Sequence, residues 1–192
     1  MRTLLVMFTA LTIAAGLCPQ AAEASDTFGV DQEILGRLQF PQPKSDAAKK
    51  YLGLTGEDKF TLSQIKARTV ILEIFSMYCT ICQAEAPTVN ELHQLVEKDA
   101  RLKGNVKIVG VGTGNTPFEV DVFRKKYDVE FPLFADERFL MQKAAQGKIR
   151  TPTFVTLKIE HGEKLVVQGV HIGRLENPGK FLDGLPGPAR EK

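Results

Sequence analysis

A strand buried on both faces commits a chain to covering layers above and below it, and residues 69 to 75 read as such a strand. Thr69-Val70-Ile71-Leu72-Glu73-Ile74-Phe75 is apolar except at Thr69 and Glu73 and rich in β-branched residues. It lacks the apolar/polar alternation of a strand with one wet face. The run leads within a few residues to Cys79-Thr80-Ile81-Cys82. From there Ile81, Ala84, Val89, Leu92, Leu95 and Val96 recur at helical spacing, with Pro87 among them. That spacing predicts a helix opening at the cysteines, and proline inside it removes one backbone bond and should kink it.

Two thiols separated by two residues can form a disulfide and break it again without the backbone moving far. Cys79, at the opening of the helix, faces unpaired backbone N–H groups and the positive end of the helix dipole, which favour thiolate over thiol. Lowering a thiol from ~8.5 to ~7 takes about 2 kcal/mol, within reach of those effects combined. Cys79 is therefore read as the nucleophile. Cys82, one turn deeper, is read as the thiol that resolves a mixed disulfide with substrate. A structural bridge would more usually join distant segments, since a short loop restrains the unfolded chain least. Zinc needs about four ligands, and there is no second close cysteine pair to supply them. The expected redox group is thus the Cys79–Cys82 disulfide itself, with no other cofactor and no metal.

The N-terminus supports a redox-permissive compartment. Met1-Arg2, an apolar stretch from Leu4 to Leu17 and the small-x-small site Ala22-Glu23-Ala24 have the layout of a secretory signal peptide cut after Ala24. The apolar stretch is short of the ~20 residues a membrane span needs, so no span is expected after cleavage, the alternative being a segment retained as an uncleaved anchor. Leu17 stands where lipoprotein signals would need a small residue before Cys18. The expected location is outside the cytosol, in the bacterial periplasm, where disulfides persist. Net charge is +2 with acidic and basic residues interspersed, which gives no field for nucleic acid. Expected partners are protein thiols and disulfides and an electron donor in the membrane or periplasm.

Along the chain, Tyr51-Leu52-Gly53-Leu54 and Lys59-Phe60-Thr61-Leu62 around Gly56-Glu57-Asp58 predict a small hairpin. Lys107 to Val111 reads as a second buried strand. Thr116-Pro117-Phe118-Glu119 reads as a capped helix start, the helix running to about Tyr127. Phe131 to Phe134 is a short strand, Asp136 caps a helix ending at Gly147, and Thr153 to Ile159 with Lys164 to Val170 forms a hairpin around His161-Gly162. Phe181 and Leu182 lie on a last short helix. Strands alternating with helices and closing on a hairpin predict an α/β sandwich around a mixed sheet.

A buried strand, an aromatic residue, Cys-x-x-Cys, a proline-bearing helix and a distant Thr151-Pro152 before a strand together resemble the thioredoxin superfamily. The resemblance is to its exported TlpA/ResA-like thiol-disulfide oxidoreductases and covers Tyr51 to Leu185. It implies a mixed central sheet flanked by helices, with a strand–helix insertion within Thr113 to Phe134. Residues 1–24 are then the signal peptide, 25–50 a lead-in, 51–185 the thioredoxin-like domain and 186–192 a tail. Thr151-Pro152 resembles the cis-proline loop that faces the cysteines and holds substrate backbone. Glu73 matches a position that often holds a buried acidic residue; desolvation there would raise its pKa and suit it to exchange protons with Cys82. Glu85, three residues after Cys82, matches an acidic residue near the site of the ResA-like branch, although the dipole alone favours a carboxylate there. With no tryptophan in the chain, Tyr78 stands where the Trp before the first cysteine usually stands. Thr80-Ile81 has neither the proline of typical reductases nor the histidine of strong oxidants, which leaves the direction of electron flow open. A reductase in cytochrome c maturation or disulfide repair is the expectation adopted.

Two rival readings follow from other residues. Ser76, three before Cys79, echoes the Thr-x-x-Cys of peroxiredoxins, with Arg150 and Arg174 as activating arginines by type only. A copper-binding chaperone would use two cysteines and a histidine. Similar carriers space the cysteines one residue wider, and His93 lies about 16 Å along the helix from Cys82. His161 and His171 read as hairpin residues.

Overall fold

The computed structural model describes residues 29–56, 58–161 and 164–185. The expected signal peptide with Cys18, the first residues of the lead-in, Gly162 and the tail lie outside the described residues.

The expected buried strand forms as β3 (Thr69–Phe75), every residue of it enclosed. It lies at the centre of a five-stranded sheet. On one side it pairs in parallel with β4 (Val106–Thr113), which in turn pairs in parallel with β5 (Leu133–Asp136). On the other side it pairs antiparallel with β6 (Thr153–Glu160), followed by β7 (Lys164–Ile172) in the predicted hairpin. The order is β5-β4-β3-β6-β7.

Side chains alternate between the two faces of a strand, and here each face has its own core. Val70, Leu72 and Ile74 pack with Val109, Val111, Val155 and Leu157 under the short helices α1 (Gln32–Arg37) and α5 (Leu140–Ala144). Ile71 and Phe75 pack with Ile108 and Phe154 under α3 (Thr80–Lys98) and α4 (Pro117–Lys126). Glu73 shares the period of Ile71 and Phe75 and so belongs to the α3 face. α3 runs unbroken through Pro87, burying Cys82, Ala86, Val89, Leu92 and Val96. α4 opens with the predicted capping box between Thr116 and Glu119. Asp136 caps α5 by accepting from Leu140 and Met141 N–H at 2.8 and 2.9 Å. The last element among the described residues is α6 (Pro178–Asp183), capped by Asn177.

The hairpin expected over Tyr51 to Leu62 does not form. Ser45 caps α2 (Asp46–Leu52), which contains Tyr51 and Leu52 and ends at Gly53 in the left-handed conformation, φ 67°. A Cβ at Gly53 would come within 2.5 Å of the Lys66 side chain, so both the dihedral and the space require glycine. Lys59-Phe60 does become a strand, β2, but its partner is β1 (Phe40-Pro41). Leu62–Gln64 is a single 3-10 turn. The residues before Tyr51 add Val30, Leu35, Leu38 and Phe40 to the core, with Phe40 in ring contact with Phe60 and Phe134. No helix among the described residues is long and apolar enough to cross a membrane.

Candidate active site

Parallel β3 and β4 end at the same edge of the sheet, and antiparallel β6 begins there, with Thr153 opposite Ile74. That register sets the loop before β6 beside the loop that carries the cysteines. Cys79 is the N-cap of α3, its Sγ accepting from Cys82 N at 3.2 Å. As a thiol, Cys79 donates to the carbonyl of Thr151 at 3.3 Å. The Thr151–Pro152 peptide is cis. The structure thus brings together Cys79, Cys82, Thr151 and Pro152.

Both cysteines are free thiols, one partly exposed and one buried. Burial opposes ionisation of Cys79. Hydrogen bonds from the Cys82 thiol, the Thr151 side chain and the N–H groups of Cys82 and Ile81 outweigh it and hold Cys79 below the ordinary thiol value. Cys82 moves the other way, pushed up by burial and then by its hydrogen bond to Cys79. Neighbouring thiols of the same chemistry are therefore driven apart by their surroundings.

Glu73 lies on the face of β3 that α3 covers, within reach of the charge of Glu85, and is 2% exposed. Its Oε1 has no hydrogen-bond partner. Burial, and secondarily the charge of Glu85, push its carboxyl up to about 8. No hydrogen bond joins Glu73 to Cys82 among the described residues. Glu85 is wholly enclosed. One of its oxygens accepts from Arg174 Nε and the other from Leu175 N, each at 2.7 Å.

Tyr78 stands out from the surface, and its hydroxyl donates to Glu119 on α4. With Ile81, Phe118 and Ile172 it belongs to the small set of large apolar side chains left exposed. Asn115 is a site residue that the sequence did not announce. Fully buried, it accepts from Met77 N at 2.8 Å and donates to Ser76 Oγ at 3.4 Å, holding the loop between β3 and Cys79. Gln83 fixes the same loop by donating to Met77 O at 2.8 Å. Space for Asn115 depends on Gly112, where a Cβ would lie 2.9 Å from its Oδ1 and 2.9 Å from Val120. The local signal was an asparagine two residues past the end of a buried strand.

None of the remaining candidates bonds to either thiol among the described residues. His93 is buried among Tyr51, Phe131, Glu97, Glu130 and Lys107, with Nδ1 3.7 Å from Glu130. His171 contacts the Arg174 carbonyl at 2.8 Å, and His161 is an exposed turn residue. Among the described residues there is no group of three or more His, Cys, Asp or Glu side chains placed to hold a metal ion. Arg150 gives its carbonyl to the Thr153 hydroxyl, and Arg174 is engaged with Glu85.

The model of the AhpC/TSA family matches residues 43–157. The chain is 32% identical over 79 residues to the thiol-disulfide oxidoreductase ResA of Bacillus cereus, covering 41% of this chain and 43% of that one. It is 33% identical over 117 residues to ResA of Oceanobacillus iheyensis, covering 60% and 57%. The matches thus span about half the length of these curated relatives. Among solved structures, MTB DsbF in mixed oxidised and reduced forms is similar with a TM-score of 0.54 at 18% identity, over 78% of this chain and 93% of that chain. A secreted Mycobacterium tuberculosis disulfide oxidoreductase gives 0.51 at 17% over the same shares. These two likenesses are of fold, and the fold they share with this chain is thioredoxin-like.

Proposed function

The chain belongs to the AhpC/TSA family, and from that premise we propose that it is an exported thiol-disulfide oxidoreductase acting as a reductase of protein disulfides. The observation that carries the reading is two free thiols one turn apart at a helix start, Cys79 partly exposed and bonded to the Thr151 carbonyl beside Pro152, and Cys82 buried behind it.

Cys79 thiolate attacks one sulfur of a substrate disulfide. The substrate S–S bond breaks, a Cys79–substrate bond forms, and the departing thiolate takes a proton from solvent. Cys82 then gives up its proton and attacks Cys79 Sγ, so the mixed disulfide breaks and the second substrate thiolate leaves and is protonated. The substrate gains two electrons and two protons, and the protein keeps a Cys79–Cys82 disulfide. A dithiol donor in the membrane or periplasm returns it to the reduced form. No redox group beyond the cysteine pair enters.

Glu73 is the base assigned to Cys82. Titrating near neutrality with a free oxygen, it can take the proton when ionised and return it when neutral. Thr151 and Pro152 line the place where substrate backbone would lie, and Tyr78 would contact it from the open side. Export rests on the signal-like N-terminal segment and is tested by fractionating cells that express the full chain.

The activity test is reduction of insulin disulfides by the dithiol-loaded protein, with trapping of a mixed disulfide in Cys82→Ala. Turnover should vanish in Cys79→Ser, and the trapped partner should be bound through Cys79. Turnover that survives Cys79→Ser overturns the proposal. Cys79-dependent consumption of peroxide with no action on insulin replaces it by a thiol peroxidase.

A further inference from the structure

Two carboxylates, Glu73 and Glu85, are enclosed between β3 and α3, and they are held very differently. Both oxygens of Glu85 accept short bonds from donors on the turn after β7, Arg174 Nε and Leu175 N. That is the pattern of an ionised, acceptor-only carboxylate with a charge-assisted partner. Among the described residues Glu73 Oε1 has no hydrogen-bond partner and no cation acts on its carboxyl. Like charges in one desolvated space disfavour each other, so the pair settles with the charge where the cation is.

The turn that carries Arg174 is anchored to the rest of the site. Gly173 N donates to Pro152 O at 2.9 Å, and the His171 ring lies 2.8 Å from Arg174 O. One short turn therefore touches the proline loop facing Cys79 and the charged carboxylate on α3. The titratable and charged groups facing the pair are Cys79, Cys82 and Glu85 from α3, and His171 and Arg174 from β7 and its turn. β4 and β6 set Gly110 and Phe154 opposite Glu73.

We propose that Arg174 is a positioning residue of this site: its bond to Glu85 fixes Glu85 as the charged member of the pair and leaves Glu73 as the member that exchanges a proton with Cys82. The consequence for catalysis rests on the thiol–disulfide exchange proposed above; the placement of the proton does not. Arg174 acts through Glu85, and its side chain is 56% exposed, so replacing it leaves the core intact.

The test uses the full chain, reduced, as wild type, R174Q, R174K, E85Q and R174Q/E85Q. Titration of isotope-labelled glutamate carboxyl resonances, assigned through E73Q and E85Q, reads the proton directly. In R174Q the proton passes to Glu85, neutral Glu85 no longer repels Glu73, and Glu73 titrates about one pH unit lower, as it does in E85Q. R174K restores the wild-type pattern, and R174Q adds nothing in the E85Q background. The same shift appears in the pH profile for release of thionitrobenzoate from its mixed disulfide with Cys79, a release that requires Cys82. Glu73 titrating unchanged or higher in R174Q, or moving equally with and without Glu85, overturns the proposal. If that release proves independent of Cys82 while the carboxyl shifts occur as described, the exchange chemistry fails and the placement stands. Normal release with unshifted carboxyls does the reverse.

Discussion

Replacing Glu73 by glutamine keeps the shape of the side chain and removes its charge, and the consequence for stability can be worked out with its sign. Burial and Glu85 move the carboxyl from 4.5 to about 8 in the folded protein. Between those values the folded state binds more protons than the unfolded state, so stability falls as pH rises. The contribution is fully present below the unfolded value, is lost progressively on the way to about 8 and stays lost above it. Integrated from about pH 5 to about pH 9, one group shifted this far costs about 4 kcal/mol. That is a large share of the ~5–15 kcal/mol by which domains are stable. Glu73→Gln carries no such loss. Urea unfolding of the reduced proteins, followed by far-UV circular dichroism because the chain has no tryptophan, should therefore show wild type losing about 4 kcal/mol relative to the variant over that range. Stability profiles that run parallel within about 1 kcal/mol would refute the reasoning, because the charged form of Glu73 would then be as well solvated folded as unfolded.

Three further outcomes are expected. Iodoacetamide should modify Cys79 and spare Cys82 in the native reduced protein, with a pH midpoint for Cys79 below that of an ordinary thiol, and equal labelling of Cys82 would contradict the separation of the two thiols. Asn115→Ala leaves Met77 N and Ser76 Oγ without their partner and should cost ~1–3 kcal/mol in urea unfolding; a change within ~0.5 kcal/mol would show that water replaces the amide. Burial depresses His93 below its ordinary 6.5 against the opposing pull of Glu97 and Glu130. The stability tied to its neutral form is thus present above 6.5 and is lost as pH falls from there through the depressed folded value. His93→Phe should melt with less acid sensitivity than wild type on going from about pH 7 to about pH 5, and equal sensitivity would exclude His93 as the source.

How much of this was legible in the sequence depended on how local the cause was. β3 was readable because burial on both faces leaves an uninterrupted apolar run, and α4 because Thr116, Pro117 and Glu119 spell its cap within four residues. Tyr51-Leu52 and Lys59-Phe60 look like facing strands only if Gly53 is read as part of a strand. Its positive φ instead ends a helix that Ser45 began. The true partner of Phe60 is Phe40, across a loop that no local pattern announces. Similarly, β5 begins at Leu133 because Phe131 is used for packing rather than pairing.

The site divides along the same line. Cys79 and Cys82 were candidates by their spacing at a helix start, and Glu73 and Thr151-Pro152 by the resemblance that matches them to family positions. Asn115 and the engagement of Arg174 could not, because Asn115 meets Met77 across 38 residues and Arg174 meets Glu85 across 89. Those meetings follow from strand order. With β4 and β6 on either side of β3, the loops after β3 and β4, the loop before β6 and the turn after β7 all emerge at one edge of the sheet. A buried carboxylate on α3 can then take its cation from the last strand's turn, and the loop before Cys79 can take its clamp from the end of β4. The two thiols stand next to each other in the sequence; Asn115, Thr151 and Arg174 are brought toward them by the topology.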